Sequence, residues 1–253
     1  VPRSKSAPGS SVEDKSVSDL TAPDNDSVAD LVVRVAGAAG DERRRLLVRL
    51  GRALSRSGRI GGKWLVDTTL DLAPRVPVRD LPTLQAHHPG LGREELADAL
   101  VAAAAKTTAG IGAAGGAVAA VEYAAPPTLL GAPLQVVAET LAIVAVELKL
   151  VAELHAVYGV PVSGTPRQRA TAYTLAWARR RGADGLGVAG LGRAARKELQ
   201  NRLLRRIGRS AFTLAPLLAG AAAGAILNSR ETNRIGGRLR DDLRNRNVTL
   251  TRR

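Results

Sequence analysis

Apolar residues recur at helical spacing along most of this chain, and glycine or proline stands where the periodic stretches stop. The first stretch is VADLVVRVAGAAG, broken near Gly40. The next, DERRRLLVRLGRALSR, puts Leu46, Leu47, Leu50 and Leu54 on one face, with Arg43, Arg45, Arg49, Arg52 and Arg56 covering much of the rest. Asp41 is expected to cap this helix, with Glu42 in its first turn, where the helix dipole favours an acid. KWLVDTTLDL reads equally as helix or strand, and Pro74, Pro77 and Pro82 predict an extended connection after it. From Arg93 the pattern is helical as far as Pro126 and Pro127. A long helix follows over about Leu134–Tyr158, stopped by Gly159 and Pro161. Further helices are predicted over Pro166–Arg181, Arg193–Arg209 and roughly Glu231–Arg246, the last preceded by the apolar AFTLAPLLAGAAAGAILNS.

The predicted fold class is therefore all-α: a compact multi-helix bundle with Gly/Ala-notched buried helices. Residues 1–27 are rich in Ser, Asp, Pro and Lys, with too little apolar surface to offset ordering, and are expected to form a disordered tail. Residues 28–90 read as a helical lead-in with a proline-rich connection, and residues 91–246 as the main helical domain.

Composition changes this picture in three ways. Hydrophobic residues make up 45% of the chain but aromatic residues only 2%, so core density must come from close backbone approach rather than from rings. Cysteine is absent, which excludes disulfides, thiolate metal sites and cysteine nucleophiles. The net charge of +14 is uneven: Arg179–Arg253 holds roughly +13 of it, while the first 27 residues are slightly acidic. Such a field suits a polyanionic partner, acidic lipid or nucleic acid, or else a solvated basic face in an arginine-rich proteome. The first 25 residues carry scattered charge and no apolar run of the kind a secretory signal needs, so a cytoplasmic location is expected.

Two segments rich in small residues, Thr107–Val121 and Ala211–Asn228, contain glycines four apart: Gly112 with Gly116, and Gly220 with Gly224. Residues four apart share a helix face, so these notches admit another backbone. The segments read as a buried helix pair in preference to a membrane-inserting hairpin, because Ala and Gly are weakly hydrophobic and neither run reaches a spanning length.

On the long helix, Gln135, Glu139, Lys149 and Glu153 fall in one stripe, either a buried polar seam or the single solvated face. Glu139, Glu147 and Glu153 are the candidates for acid or base catalysis. Glu153 and His155, two apart, point to different sides and do not make the Glu-x-x-His pair of a di-metal site, and no metal or cofactor is expected. His87 and His88 read as loop surface. Gly58–Lys63 lacks the first glycine and the hydroxyl residue of a P-loop. Gly185–Gly190 matches G-x-G-x-x-G without the preceding strand, and reads as a helix–helix connection. On the Arg193–Arg209 helix, Leu199, Leu203 and Ile207 oppose Arg202, Arg205, Arg206 and Arg209, a pattern suited to acidic headgroups or to docking with the arginines in water.

TTAGIGAAGGAVAA, a proline break, a long helix ending ELHAVYG, and LLAGAAAGAILNSRETNRIGGRLR together resemble the EcsC family of bacterial helical proteins. In that family a glycine-rich helix precedes one ending near Tyr-Gly, and a later Gly/Ala stretch runs through an Asn into a polar helix. The matching places are Gly110–Gly116, Tyr158-Gly159, and Gly220 through Asn228, Thr232 and Gly236, within about Leu91–Arg240. Two features depart: alanine replaces bulkier residues at many places, and PRVPVRDLPTLQAHHPG is a distinct lead-in. The resemblance implies an α-helical protein of poorly defined role, some members being encoded beside an ABC transporter, and it supplies no catalytic residues. The expected function is a non-enzymatic protein on the inner face of the cell membrane. It would act on an anionic membrane surface or a membrane protein such as a transporter, through Arg202, Arg205, Arg206 and Arg209. The alternatives are an enzyme using the glutamates above, or a nucleic-acid binder.

Overall fold

The computed structural model describes residues 26–57, 62–124, 132–160, 162–180 and 218–251. Eight α-helices and no strand occupy these residues. They are α1 Val28–Gly37, α2 Gly40–Ser57, α3 Gly62–Leu72, α4 Leu81–His87, α5 Arg93–Ala124, α6 Ala132–Val157, α7 Pro166–Arg180 and α8 Leu218–Thr251. Ser27 caps α1, its hydroxyl accepting from the Asp30 amide at 3.2 Å, and Asp80 caps α4 by accepting from Thr83 at 3.0 Å. Asp26 pairs with Arg34 at 2.5 Å, so residues 26 and 27 of the expected tail belong to the fold; residues 1–25 lie outside the described residues.

The centre of the bundle is α6. A helix apolar around most of its circumference has to be buried, and α6 packs against α1, α2, α5, α7 and α8. It ends as its sequence requires: Gly159 takes a left-handed φ of +64°, its amide reaches Ala156 O, and the Val160 amide reaches back to His155 O at 3.0 Å. The longest interface in the bundle joins α5 and α8, which run antiparallel, with Gly112 against Gly224, Thr108 against Thr232, Val101 against Gly236, and Asp98 against Arg240.

Several expectations are corrected. Asp41 does not cap α2, which begins at Gly40; it lies in the first turn and binds Arg44. Arg43 is not on the solvated side of α2 but only 8% exposed, because spacings of three and four residues from Leu46 and Leu47 put it on the leucine face. Its Nε donates to Val35 O at 3.3 Å, its guanidinium lies against Gly110 of α5, and burial lowers its pKa. The helix-or-strand segment is the helix α3. The proline-rich connection is extended only in part, since Ala73–Arg75 forms a 3-10 turn and Pro82 lies in the first turn of α4, where a missing amide costs nothing. His87 therefore ends a helix instead of lying in a loop. The Gly/Ala stretch and the polar C-terminal helix are one element, α8, which no proline interrupts and which runs on through Asn228 and Ser229.

Candidate functional site

Three polar clusters link helices distant in sequence. In the first, Glu147 of α6 is 0% exposed and accepts from Trp177 Nε1 of α7 at 2.7 Å and from Thr232 Oγ1 of α8 at 3.2 Å. Thr232 lies 2.9 Å from Thr108 Oγ1 of α5, and Asn228 Nδ2 donates to Thr108 O at 3.3 Å. A buried carboxylate is retained only when such donors replace water, and here they come from separate helices.

In the second cluster, Glu153 of α6 is 3% exposed. Its Oε1 accepts from Arg79 Nε at 2.8 Å, Lys149 Nζ at 2.8 Å and the Arg79 amide at 3.3 Å, and its Oε2 accepts from Arg79 Nη2 at 3.0 Å. Burial works to raise the Glu153 pKa, but the hydrogen bonds and charges of Arg79 and Lys149 together hold it below the ordinary carboxylate value. Lys149 also donates to Pro77 O. Three of these donors crowd Oε1, while Oε2 carries one and keeps an acceptor site.

In the third, Glu94 at the start of α5 accepts from Tyr158 Oη at 2.9 Å and is bound by Arg240 and Arg244 of α8. The Arg244 hydrogen bond is the main reason its pKa is lowered, with Tyr158 and Arg240 adding to it against the effect of burial. Burial, then the Glu94 contact, pushes the Tyr158 hydroxyl up to about 12.

Beside the second cluster lies a cavity of about 320 Å³ between α1, α5, α6 and the connection before α4. Val33, Ala36, Leu100, Ala104, Val146 and Leu150 contribute apolar walls, and Arg79, Lys149 and Glu153 line it too.

The polar stripe read from the sequence is mostly buried. Gln135 is buried and donates to the half-buried Glu139 at 3.4 Å, Lys149 is half-buried, and Glu153 carries the ion pairs. Glu139 stands against Gly115, where a Cβ would collide with its carboxyl group. His155 Nδ1 lies 2.7 Å from Val151 O, and its ring meets Tyr173 edge-on at 5.2 Å. No cluster of three potential metal ligands occurs among the described residues. Gly112 and Gly224 meet across the α5–α8 interface: a Cβ on Gly112 would sit 2.6 Å from Gly224 O and 2.5 Å from Asn228 Nδ2. Gly116 is half-buried, and Gly220 lies in the first turn of α8. Arg202, Arg205, Arg206, Arg209 and the Gly185–Gly190 segment lie outside the described residues. No helix among the described residues is long and apolar enough to cross a membrane.

Sequence patterns alone missed Arg79, Glu94, Thr108 and Trp177, and gave Thr232 only as a place in the EcsC-like pattern. Thr108 and Thr232 left a trace: Thr108 is one turn from Gly112, and Thr232 two turns from Gly224, on the same faces. Arg79 left none, because its partner is 74 residues away. No family model, characterised protein or solved structure matches the chain, so the EcsC resemblance rests on the sequence motifs.

Proposed function

We propose that this is a non-enzymatic helical protein that works at an anionic membrane surface through cationic residues of its C-terminal third. The observation that carries the proposal is on α8. Arg230, Arg234 and Arg238 are exposed at successive turns, following Ile226, which is 50% exposed one turn earlier. Arg230 and Arg238 make no ion pair with the described residues, while Arg234 has only Glu231 at 4.0 Å. A row of cations beside an exposed apolar residue suits the boundary between headgroup and acyl chain. The three candidate carboxylates favour the same conclusion. Glu147 and Glu153 are committed to donors inside the fold, and Glu139 is engaged by Gln135, so each has a packing role.

Flotation of the full chain with vesicles tests this. Recovery is expected with phosphatidylglycerol-containing vesicles at low salt, with little on phosphatidylcholine alone, and with progressive loss as salt screens the contact. Replacing Arg230, Arg234 and Arg238 together by Gln is expected to weaken binding by about fivefold per residue, on the basis of roughly 1 kcal/mol for each cation near an anionic surface. Equal recovery on neutral and anionic vesicles, insensitive to salt, overturns the proposal. Binding to inverted membranes but not to their extracted lipids would instead place the partner in a membrane protein.

A further inference from the structure

The cavity beside Glu153 combines largely apolar walls with two cations that hold unspent N–H groups. Its volume of about 320 Å³ lies at the low end of the roughly 300–1,000 Å³ of small-molecule sites. One short chain fits such a space and a two-chain lipid does not. Apart from Thr107, whose hydroxyl donates to Ala103 O, the wall side chains are apolar, so orientation comes mainly from the charged groups Arg79, Lys149 and Glu153.

What these three groups can still bind follows from how they are used. Glu153 Oε1 is fully used by three donors, and Oε2, with one, keeps a single acceptor site. Lys149 spends two of its three N–H groups, on Glu153 and Pro77 O. Arg79 spends Nε and one N–H of Nη2 on Glu153, which leaves Nη1 without a partner among the described residues. The unspent N–H groups of Lys149 and Arg79 outnumber the one acceptor site left on Glu153, and two cations against one carboxylate leave one net positive charge. Both cations are only 31% exposed, so solvent screens them in part. The surroundings therefore favour an anionic acceptor joined to an apolar chain.

We infer that this cavity binds a small amphipathic carboxylate of the medium-chain fatty-acid class, its chain between α1, α5 and α6 and its carboxylate on Lys149 and Arg79. Glu153 is a positioning residue, holding both cations without touching the ligand. The site is independent of the arginines on α8, and either proposal stands if the other fails.

Calorimetric titration of the full chain with decanoate, decan-1-ol and decylammonium tests the inference. Decanoate is expected to bind saturably, one per chain, with the alcohol at least about tenfold weaker, the effect of losing a hydrogen bond between charged groups. Decylammonium, facing like charge, is expected to be weaker still. Ala103 is an exposed residue of α5 that lines the cavity, so Ala103→Phe fills the space from the outside. It is expected to reduce decanoate affinity at least tenfold without lowering the melting temperature. Lys149→Gln is expected to weaken decanoate about tenfold and leave the alcohol unchanged. If Lys149→Gln does not fold, the headgroup series and Ala103→Phe decide the question. Absence of saturable decanoate binding to the folded chain overturns the inference, including the case where the chain's own segments close the cavity. Equal affinity for the three headgroups, or full affinity in Ala103→Phe, overturns it too.

Discussion

Glu147 and Glu153 stand six residues apart on α6, about 240° around the helix, so they face different neighbours and do different work. Glu147 meets Trp177 and Thr232, and its loss removes the carboxylate that accepts from a buried indole N–H. Glu147→Leu is expected to cost about 2–3 kcal/mol in chemical denaturation, the penalty of depriving buried donors of this acceptor. Adding Trp177→Phe removes the indole donor, so the double variant should be more stable than the sum of the two losses implies. Strict additivity would show that the pair is not coupled. Glu153 answers to pH. Its pKa is lowered in the fold, so its contribution is present above the ordinary carboxylate value of 4.5 and is lost as pH falls below it. Glu153→Gln should lower stability by about 2 kcal/mol at neutral pH and flatten the acid limb. The loss is smaller than the roughly 3–5 kcal/mol for a fully buried pair because Arg79 and Lys149 keep some solvent. Tyr158 has the opposite sign: its pKa is raised from 10.0 to about 12, so its share is present below pH 10 and fades between those values, a limb that Tyr158→Phe should remove.

Among the elements, the α5–α8 pair shows most directly how small residues substitute for aromatic bulk. At Gly112 the neighbour is the Gly224 carbonyl, which belongs to a helix backbone and cannot turn aside. Gly112→Ala should force the helices apart and cost about 1–3 kcal/mol, the range for overpacking a dense interior. Gly237 lies on the same helix as Gly224, and a Cβ added there would meet nothing within 4 Å. Gly237→Ala should therefore stabilise by about 0.5–1 kcal/mol through helix propensity alone. Thermal denaturation of the two variants gives opposite signs if the contact matters, and equal shifts if it does not. Glycines four apart were visible in the sequence as notches, but not which notch meets which. Gly112 and Gly224 meet because the antiparallel register aligns Thr108 with Thr232 and Asp98 with Arg240, contacts more than 120 residues apart in the chain. Likewise, Arg43 belongs to the Leu46 and Leu47 face by spacing, yet only the α2–α5 packing shows that a guanidinium fits beside Gly110.

For the molecule as a whole, α6 is the element on which the others depend. It is buried along most of its length, and each of the three polar clusters includes a residue on it or, with Tyr158, immediately after it. Its amides are expected to be the slowest to exchange with solvent hydrogen, opening only with global unfolding, whereas the short α4 should exchange through local opening. Comparable rates in α4 and α6 would show that α6 does not anchor the fold. The Glu94 cluster closes the bundle at the other scale of distance, joining the start of α5, the end of α6 and the C-terminal half of α8 through one carboxylate.

The sequence by itself determined the helical class, the limits of the long central helix and the small-residue device that packs it. These depend on periodicity, on Gly159 as a stop, and on the scarcity of rings, all properties of neighbouring residues or of composition. It also identified Glu139, Glu147 and Glu153 as residues out of place on an apolar helix, but not what each one meets. The tertiary structure alone decided that Glu147 faces an indole, that Glu153 gathers two cations beside a cavity, and that an arginine expected in water is buried. The reason is physical: a charge or a hydroxyl on a helix specifies only that it needs a partner. Which partner it finds is set by helix register and packing over separations of up to 150 residues.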